Sequence, residues 1–345
     1  MKVLGIESSC DETACAIVED GKKILSNVVA TQIPFHEIYK GVVPEIASRK
    51  HAEWILPVVR QALDEANLKC GEIDAVAATN RPGLMGSLLV GLTFGKTFAW
   101  ALNKPFIAVN HMLGHLYAAH LQNEIAYPYL GLLVSGGHSI IAKVNGFDDL
   151  EILGTTMDDS VGEAFDKVAK FYDLGYPGGV IIDRLSKNGN PRAFSFPVPK
   201  LDKGEHRYDF SFSGLKTAVI HQAKNFLNEG FENSVENIAA SFQETACKTL
   251  VTRLLRAVED TGLTTIVAGG GVAANSRLRE MLFEHNELKC IFPPLKLCGD
   301  NGAMIAGVAY HFLKRGETSP LDTTAQARIP QFKRGLANLE SFGRR

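Results

Sequence analysis

Apolar and polar positions alternate with period two at the start of the chain and switch to a helical period further on. Residues 3–7, 13–18 and 24–30 are short apolar runs separated by a small-polar turn and a glycine, the pattern of a β-meander. From Pro44, suited to a first helical turn, Ile46, Ile55, Val59, Leu63 and Ala66 follow a helical spacing. A buried-strand run at 73–78, a glycine-rich loop at 81–86 and an apolar helix at 87–102 come next. A strand at 106–109 then meets Asn110, a good N-cap for a helix that carries His111 and His115.

A second pass through the same order follows. Residues 130–134 and 140–144 read as strands around the turn Ser135-Gly136-Gly137, and 265–268 as a strand before Gly269-Gly270-Gly271 and a helix at 274–285. After a short strand at 290–292, Asp300-Asn301-Gly302 turns into an apolar helix at 303–313. Each half runs strand, small-residue turn, strand, then strand, glycine loop, helix, then strand, turn, helix. This is a repeat of supersecondary order rather than of residue identity. Two α/β halves with facing glycine turns predict a nucleotide in the cleft between them, because glycine lets backbone N–H groups approach phosphate oxygens.

Composition narrows the picture. A chain of 345 residues exceeds the roughly 250–300 at which one core stops growing, so two domains are expected. With 36 Lys and Arg against 38 Asp and Glu, the net charge of −2 gives no whole-molecule basic field, and a nucleic-acid partner must be met by a local patch. The carboxylate of Glu7 falls where a secretory signal would still need apolar residues, and no later apolar run approaches a membrane span. Cys10, Cys15, Cys70, Cys247, Cys290 and Cys298 contain no C-x-x-C pair, which argues against a disulfide scaffold and a thiolate zinc site. A cytoplasmic protein is expected.

One local patch exists at 184–216, where seven Lys or Arg face three Asp or Glu, a net of +4. Phe194, Phe196, Tyr208, Phe210 and Phe212 are interleaved with these charges. Such a stretch either grips a single-stranded RNA loop by phosphate pairing and base stacking or is an irregular insertion with solvated charges. The tail at 328–345 has five basic residues against Glu340 and reads as a solvated end.

His111 and His115, at i and i+4, stack on one helix face at the separation at which two imidazoles share a metal. The residues between them are Met112, Leu113 and Gly114, so the general-base Glu of a zinc protease motif is missing. The pair suits a metal that holds a ligand, and Asp300, at the turn leading into a helix of the second half, is the natural third ligand. In the first turn, Ser8-Ser9-Cys10-Asp11-Glu12-Thr13 collects hydroxyls for phosphate and carboxylates for a cation or general-base role. Cys10 is a possible nucleophile, although a free cysteine is more often a small buried hydrophobe.

Several stretches together resemble one family. They are V-L-G-I-E-S-S-C-D-E-T (3–13), G-V-V-P-E-I-A-S-R-K-H (41–51), N-H-M-L-G-H (110–115), L-V-S-G-G-H (133–138) and G-E-A-F-D-K (162–167). With them go Y-P-G-G (176–179), D-F-S-F-S-G-L-K-T (209–217), A-G-G-G-V-A-A-N (268–275) and G-D-N-G-A-M (299–304). In this the chain is similar to the bacterial TsaD (Gcp/YgjD) family of tRNA N6-adenosine threonylcarbamoyltransferases. The resemblance implies a duplicated actin/Hsp70/sugar-kinase-like (ASKHA) α/β fold, with domains at 1–128 and 129–325 and a basic tail at 326–345. It implies transfer of threonylcarbamoyl from threonylcarbamoyl-AMP to the exocyclic amine of the adenosine 3′ of the anticodon, in tRNAs reading codons that start with A. It also implies one divalent metal on His111, His115 and Asp300, iron(II) first and zinc second. The implied substrate set is Leu133, Val134, Ser135, Gly136, Gly137, Asp166, Gly179, Asp183 and Asn275. The implied partners are tRNA, TsaB and TsaE, with TsaC supplying the adenylate. Leu133 stands where archaeal relatives have a tyrosine ligand, leaving the fourth metal position to substrate or water.

On this reading Asp11 or Glu12 accepts the amine proton or positions the base, and the stretch 184–216 contacts the anticodon arm. The alternatives are an ATP-dependent small-molecule kinase or ATPase of the same fold, a metallopeptidase, and a metal-free scaffold in a tRNA-modifying complex.

Overall fold

The structure, a computed structural model, describes residues 1–198, 201 and 204–329. Its first sheet contains β1 (Lys2–Glu7), β2 (Glu12–Glu19), β3 (Lys23–Thr31), β4 (Ala75–Arg81) and β5 (Phe106–Asn110). The second contains β6 (Tyr129–Val134), β7 (Ser139–Val144), β8 (Leu150–Thr155), β9 (Thr265–Gly269) and β10 (Lys289–Ile291). The spatial orders, β3-β2-β1-β4-β5 and β8-β7-β6-β9-β10, are the same. In each sheet the first three strands form an antiparallel meander and the last two add in parallel. The repeat expected from element order is therefore a repeat of topology. β8 was not expected, and the helix expected at 274–285 is a short turn, Gly271–Ala274, followed by the helix Ser276–Phe283.

The central strands β1, β4 and β6 are buried almost throughout, which is why they read as unbroken apolar runs. Alternate residues of β1 divide between two cores. Leu4 and Ile6 join Ile55, Val59 and Leu92 beneath the helices Pro44–Glu65 and Met85–Ala101, whereas Val3 faces the second sheet. Across the molecule, Leu130 and Leu132 pack with Phe165, Phe242 and Leu250 under the helices Val161–Phe171 and Val235–Thr261. Between the sheets lie the helices His111–Tyr117 and Gly302–Lys314, whose Met112, Met304 and Ile305 share a core with Leu133, Ile140 and Val267.

The chain after Asp300 returns to the first half. Helix Gly302–Lys314 packs on β1, β2 and β5. The Ser319 amide then donates to the Phe106 carbonyl at 2.7 Å, and the Gln326 amide to that of Asn80 at 2.9 Å. The expected division at 129–325 thus follows the sheets only as far as Asp300, because an apolar helix between two sheets must bury both its faces. Among the described residues no helix is long and apolar enough to cross a membrane.

Among the described residues of 184–216, four of the five rings expected to stack on bases are not available, and Tyr208 is half-buried. Phe194, Phe196, Phe210 and Phe212 are all buried in the second core, so these rings are withheld from any base. Arg207 makes two bonds to the Asp260 carboxylate, at 2.7 and 3.0 Å, and Lys216 lies 2.5 Å from Asp159. The aromatic spacing was irregular because these rings enter the core from loops rather than from one strand or helix. Lys200 and Lys203 lie outside the described residues, as does the tail from 330 onward.

Candidate metal centre and substrate cleft

The Asn110 side chain accepts the Met112 amide at 2.9 Å and starts the helix that carries both histidines. Their rings are 4.4 Å apart between centroids. From the other side, Asn301 caps helix Gly302–Lys314 through the Met304 amide at 3.0 Å and donates to the Gly299 carbonyl at 2.9 Å, fixing the turn that presents Asp300. Asp300 Oδ1 lies 3.5 Å from His111 Nε2 and 3.2 Å from His115 Nε2. One ligand atom from each of the three residues falls within 4.8 Å of the others. β9 holds this arrangement from below: a Cβ on Gly269 would sit 2.4 Å from the His115 carbonyl oxygen, so only glycine allows the approach.

The residues fit a divalent cation. Among the described residues neither ring nitrogen of buried His115 has a hydrogen-bond partner, a loss a buried imidazole does not accept without a ligand. Two imidazoles and a carboxylate are a borderline donor set suited to iron(II) or zinc. The charges already present are strongly coupled. Burial pushes Asp300 up, but the His111 charge and the close contact with His115 outweigh it and bring the carboxyl down to about 2. Burial depresses His111, but Glu7 and Asp300 outweigh it and carry the imidazole up to about 9. His138 is pushed down to about 4 by burial and by both histidines.

Sequence reasoning missed Glu7 as part of this site. It closes β1, is fully buried, and places Oε2 at 2.9 Å from His111 Nδ1. The available signal was a carboxylate ending an otherwise apolar buried strand.

The turn between β1 and β2 is braced on every side. The Leu84 amide donates to the Ser9 carbonyl at 2.8 Å, His51 Nε2 to that of Cys10 at 3.0 Å, and the Gln32 amide to that of Asp11 at 3.0 Å. Asp11 is buried, and Glu12 Oε1 accepts from the Thr31 hydroxyl at 3.3 Å. Burial, with the charges of Asp11 and Asp300, pushes the Glu12 carboxyl well above the usual range. Burial likewise raises the Cys10 thiol well above its ordinary value.

The equivalent turn between β6 and β7 is open. The Ser135 amide donates to the His138 carbonyl at 2.8 Å, leaving Gly136 and Gly137 exposed with free space where a Cβ would stand. Leu133 and Val134 point their side chains into cores, so they offer only backbone to the cleft. Asp166 accepts from the Gly178 amide at 2.8 Å, yet burial still lifts it to about 6. Gly179 is open, and Asp183 accepts from the Ser276 hydroxyl at 2.7 Å. Asn275 is committed within the protein: it caps Leu278 at 3.0 Å and donates to Gln243 at 2.8 Å.

Two duplicated sheets with a hairpin turn from each define an ASKHA-type protein, and solved structures agree on that fold. Full-length HypF in its phosphate- and nucleotide-bound form is similar with a TM-score of 0.62 at 13% identity, over 92% of this chain and 47% of that one. The ADPNP-bound activator of 2-hydroxyisocaproyl-CoA dehydratase from Clostridium difficile is similar with a TM-score of 0.51 at 15% identity, over 92% and 97%. At sequence level, the family described as TsaD, tRNA N6-adenosine threonylcarbamoyltransferase, matches residues 23–307, and the chain belongs to this family. Relatives of that name are 71% identical in Treponema denticola over 334 residues, covering 97% of this chain and 99% of the relative. The relative from Treponema pallidum is 55% identical over 336 residues, 97% and 96%, and that from Borreliella burgdorferi 52% over 346 residues, 99% and 99%. The family and the fold expected from the motifs are both borne out.

Proposed function

We propose that this chain transfers the threonylcarbamoyl group of threonylcarbamoyl-AMP to N6 of the adenosine immediately 3′ of the anticodon, in tRNAs reading codons that begin with A, releasing AMP. Family membership across 23–307 supports acyl transfer to a tRNA adenosine. The observation that carries the mechanism is the convergence of His111, His115 and Asp300 beside the carboxylates of Asp11 and Glu12.

An adenine amine is a weak nucleophile, so the acyl carbon must be activated and the amine proton removed. A divalent metal on His111, His115 and Asp300, iron(II) first and zinc second, supplies Lewis acidity toward the acyl carbonyl. As the N6–carbon bond forms and the carbon–phosphate oxygen bond breaks, a proton leaves N6. Glu12 takes that proton, with Asp11 holding the base in place. The exposed Gly136 and Gly137 amides face the phosphate of the departing AMP, and Asp166 accepts from a ribose hydroxyl. The donor comes from TsaC, and TsaB and TsaE act with the chain in the cytoplasm.

The test is nucleoside mass spectrometry of tRNA incubated with purified chain, TsaB, TsaE, metal and synthetic threonylcarbamoyl-AMP. Appearance of threonylcarbamoyladenosine with equimolar AMP is expected. Phosphorylation of a small molecule without tRNA, and no modified nucleoside, would replace this reading with the kinase one.

A further inference from the structure

We propose that Glu7 is the positioning residue of the metal centre: its carboxylate holds the His111 proton on Nδ1, frees Nε2 for the metal, and ties that ligand to the Ser8–Glu12 turn. The inference rests on His111, His115 and Asp300 being metal ligands.

Glu7 sits at the carboxyl end of β1, the central strand of the first sheet and the one on which β2 and β4 both pair. Its neighbours Val3, Leu4 and Ile6 are apolar and fully buried, and Glu7 itself has no exposed surface. An ionised carboxylate in such a place is costly unless donors surround it. Three do. The Ser9 amide donates to Oε1 at 2.5 Å, and the Thr79 hydroxyl and His111 Nδ1 donate to Oε2 at 2.5 and 2.9 Å. A carboxylate only accepts, so the third contact requires the hydrogen of His111 to be on Nδ1. When a cation displaces the proton on the ring's other nitrogen, the lone pair it uses lies on the side where Asp300 is 3.5 Å away. Imidazole ligands commonly have their second nitrogen fixed in this way by a carboxylate.

The two histidines are unequal in this respect. Among the described residues His115 has no hydrogen bond at either nitrogen, whereas His111 is oriented by Glu7 and has the Ser9 hydroxyl 3.2 Å from Nδ1. Since Glu7 Oε1 also anchors the Ser9 amide, one side chain sets both a ligand and the turn bearing Asp11 and Glu12. Glutamine cannot replace it. Turned one way, its NH2 meets the Ser9 N–H. Turned the other, it meets His111 and drives the proton onto Nε2, where it blocks ligation.

The test is zinc titration of the full-length chain by calorimetry, with zinc alone as probe. Glu7→Gln is expected to bind zinc 10- to 100-fold more weakly than wild type. Thr79→Val, which leaves the Glu7–His111 contact intact, is expected to stay within about threefold of wild type. Glu7→Gln affinity within twofold of wild type would overturn the inference while leaving the metal site standing, and a wild type that binds no zinc would overturn both. Should Glu7→Gln fail to fold, proton–nitrogen NMR of the zinc-loaded wild type decides. A hydrogen on His111 Nδ1 is expected, and one on Nε2 would overturn the proposal.

Discussion

The β1–β2 and β6–β7 turns occupy the same place in two sheets of identical strand order, yet they have diverged in opposite directions. The first is buried, its carbonyls held by residues of the helices Pro44–Glu65 and Met85–Ala101 and by the end of β3, and it carries Asp11 and Glu12. The second is of the same length but exposed at Gly136 and Gly137, which bring only backbone to the surface. Rigid side-chain carboxylates are suited to moving a proton, and free amides to holding a phosphate. Duplication supplied two equivalent hairpins, and burial separates the one that carries carboxylates from the one that presents glycine backbone. The candidate metal ligands are also drawn from both halves. Two come from the helix after β5 and the third from the turn after β10.

Under the proposed function, removing the metal should have the largest effect, because both turns would act on a substrate that it activates. His115→Ala is expected to abolish metal retention and lower transfer roughly 1,000-fold. Its melting temperature without metal should also fall, since a buried ring packed 4.4 Å from that of His111 is lost and Asp300 loses its neighbour at 3.2 Å. Metal analysis, single-turnover transfer and thermal melting check the three parts.

The first turn comes next. Glu12→Gln is expected to lower the single-turnover rate about 100- to 10,000-fold with metal content and donor affinity unchanged. Full rates in both Glu12→Ala and Asp11→Ala would remove the acid–base assignment from this turn.

The second turn should show the complementary signature. Gly137→Ala has room for its methyl group, so the fold is expected to hold while that methyl enters the cleft. Donor KM should rise about tenfold with kcat little changed, a loss of uniform binding. A fall in kcat alone would break the contrast between the turns.

The smallest effect is on stability. Asp166 is raised by burial to about 6, so between its ordinary value and about 6 the folded chain binds more protons than the unfolded one. Stability contributed by this group is therefore present at acid pH and lost as pH rises through about 6. Asp166→Asn is expected to stabilise the chain at pH 7 by about 1–3 kcal/mol and flatten that part of the pH profile. Denaturant melts from pH 4 to pH 8 read both. Donor binding by the wild type should weaken below about pH 6, where the carboxyl gains its proton.

Much of this was legible in the chain. Strands with clean alternation or an unbroken apolar run, such as β1, β2 and β6, were placed to within a residue or two because their burial comes from a repeating geometry. The His111, His115 and Asp300 group was readable from helical spacing and a helix-initiating turn. Three things were not. Phe194, Phe196, Phe210 and Phe212 looked like a nucleic-acid surface because the sequence shows ring and charge but not which loop folds inward. The return of helix Gly302–Lys314 to the first sheet is a tertiary crossing that no local period records. Glu7 was passed over because its meaning depends on Ser9, Thr79 and His111, and the last two are 72 and 104 residues away.

The central claim, metal-assisted threonylcarbamoyl transfer to tRNA, is tested most directly by nucleoside mass spectrometry of tRNA from cells depleted of this chain and complemented with wild type or His115→Ala. Wild type should restore threonylcarbamoyladenosine and His115→Ala should not, at equal protein level. Equal restoration by both would show that transfer needs no metal on His115.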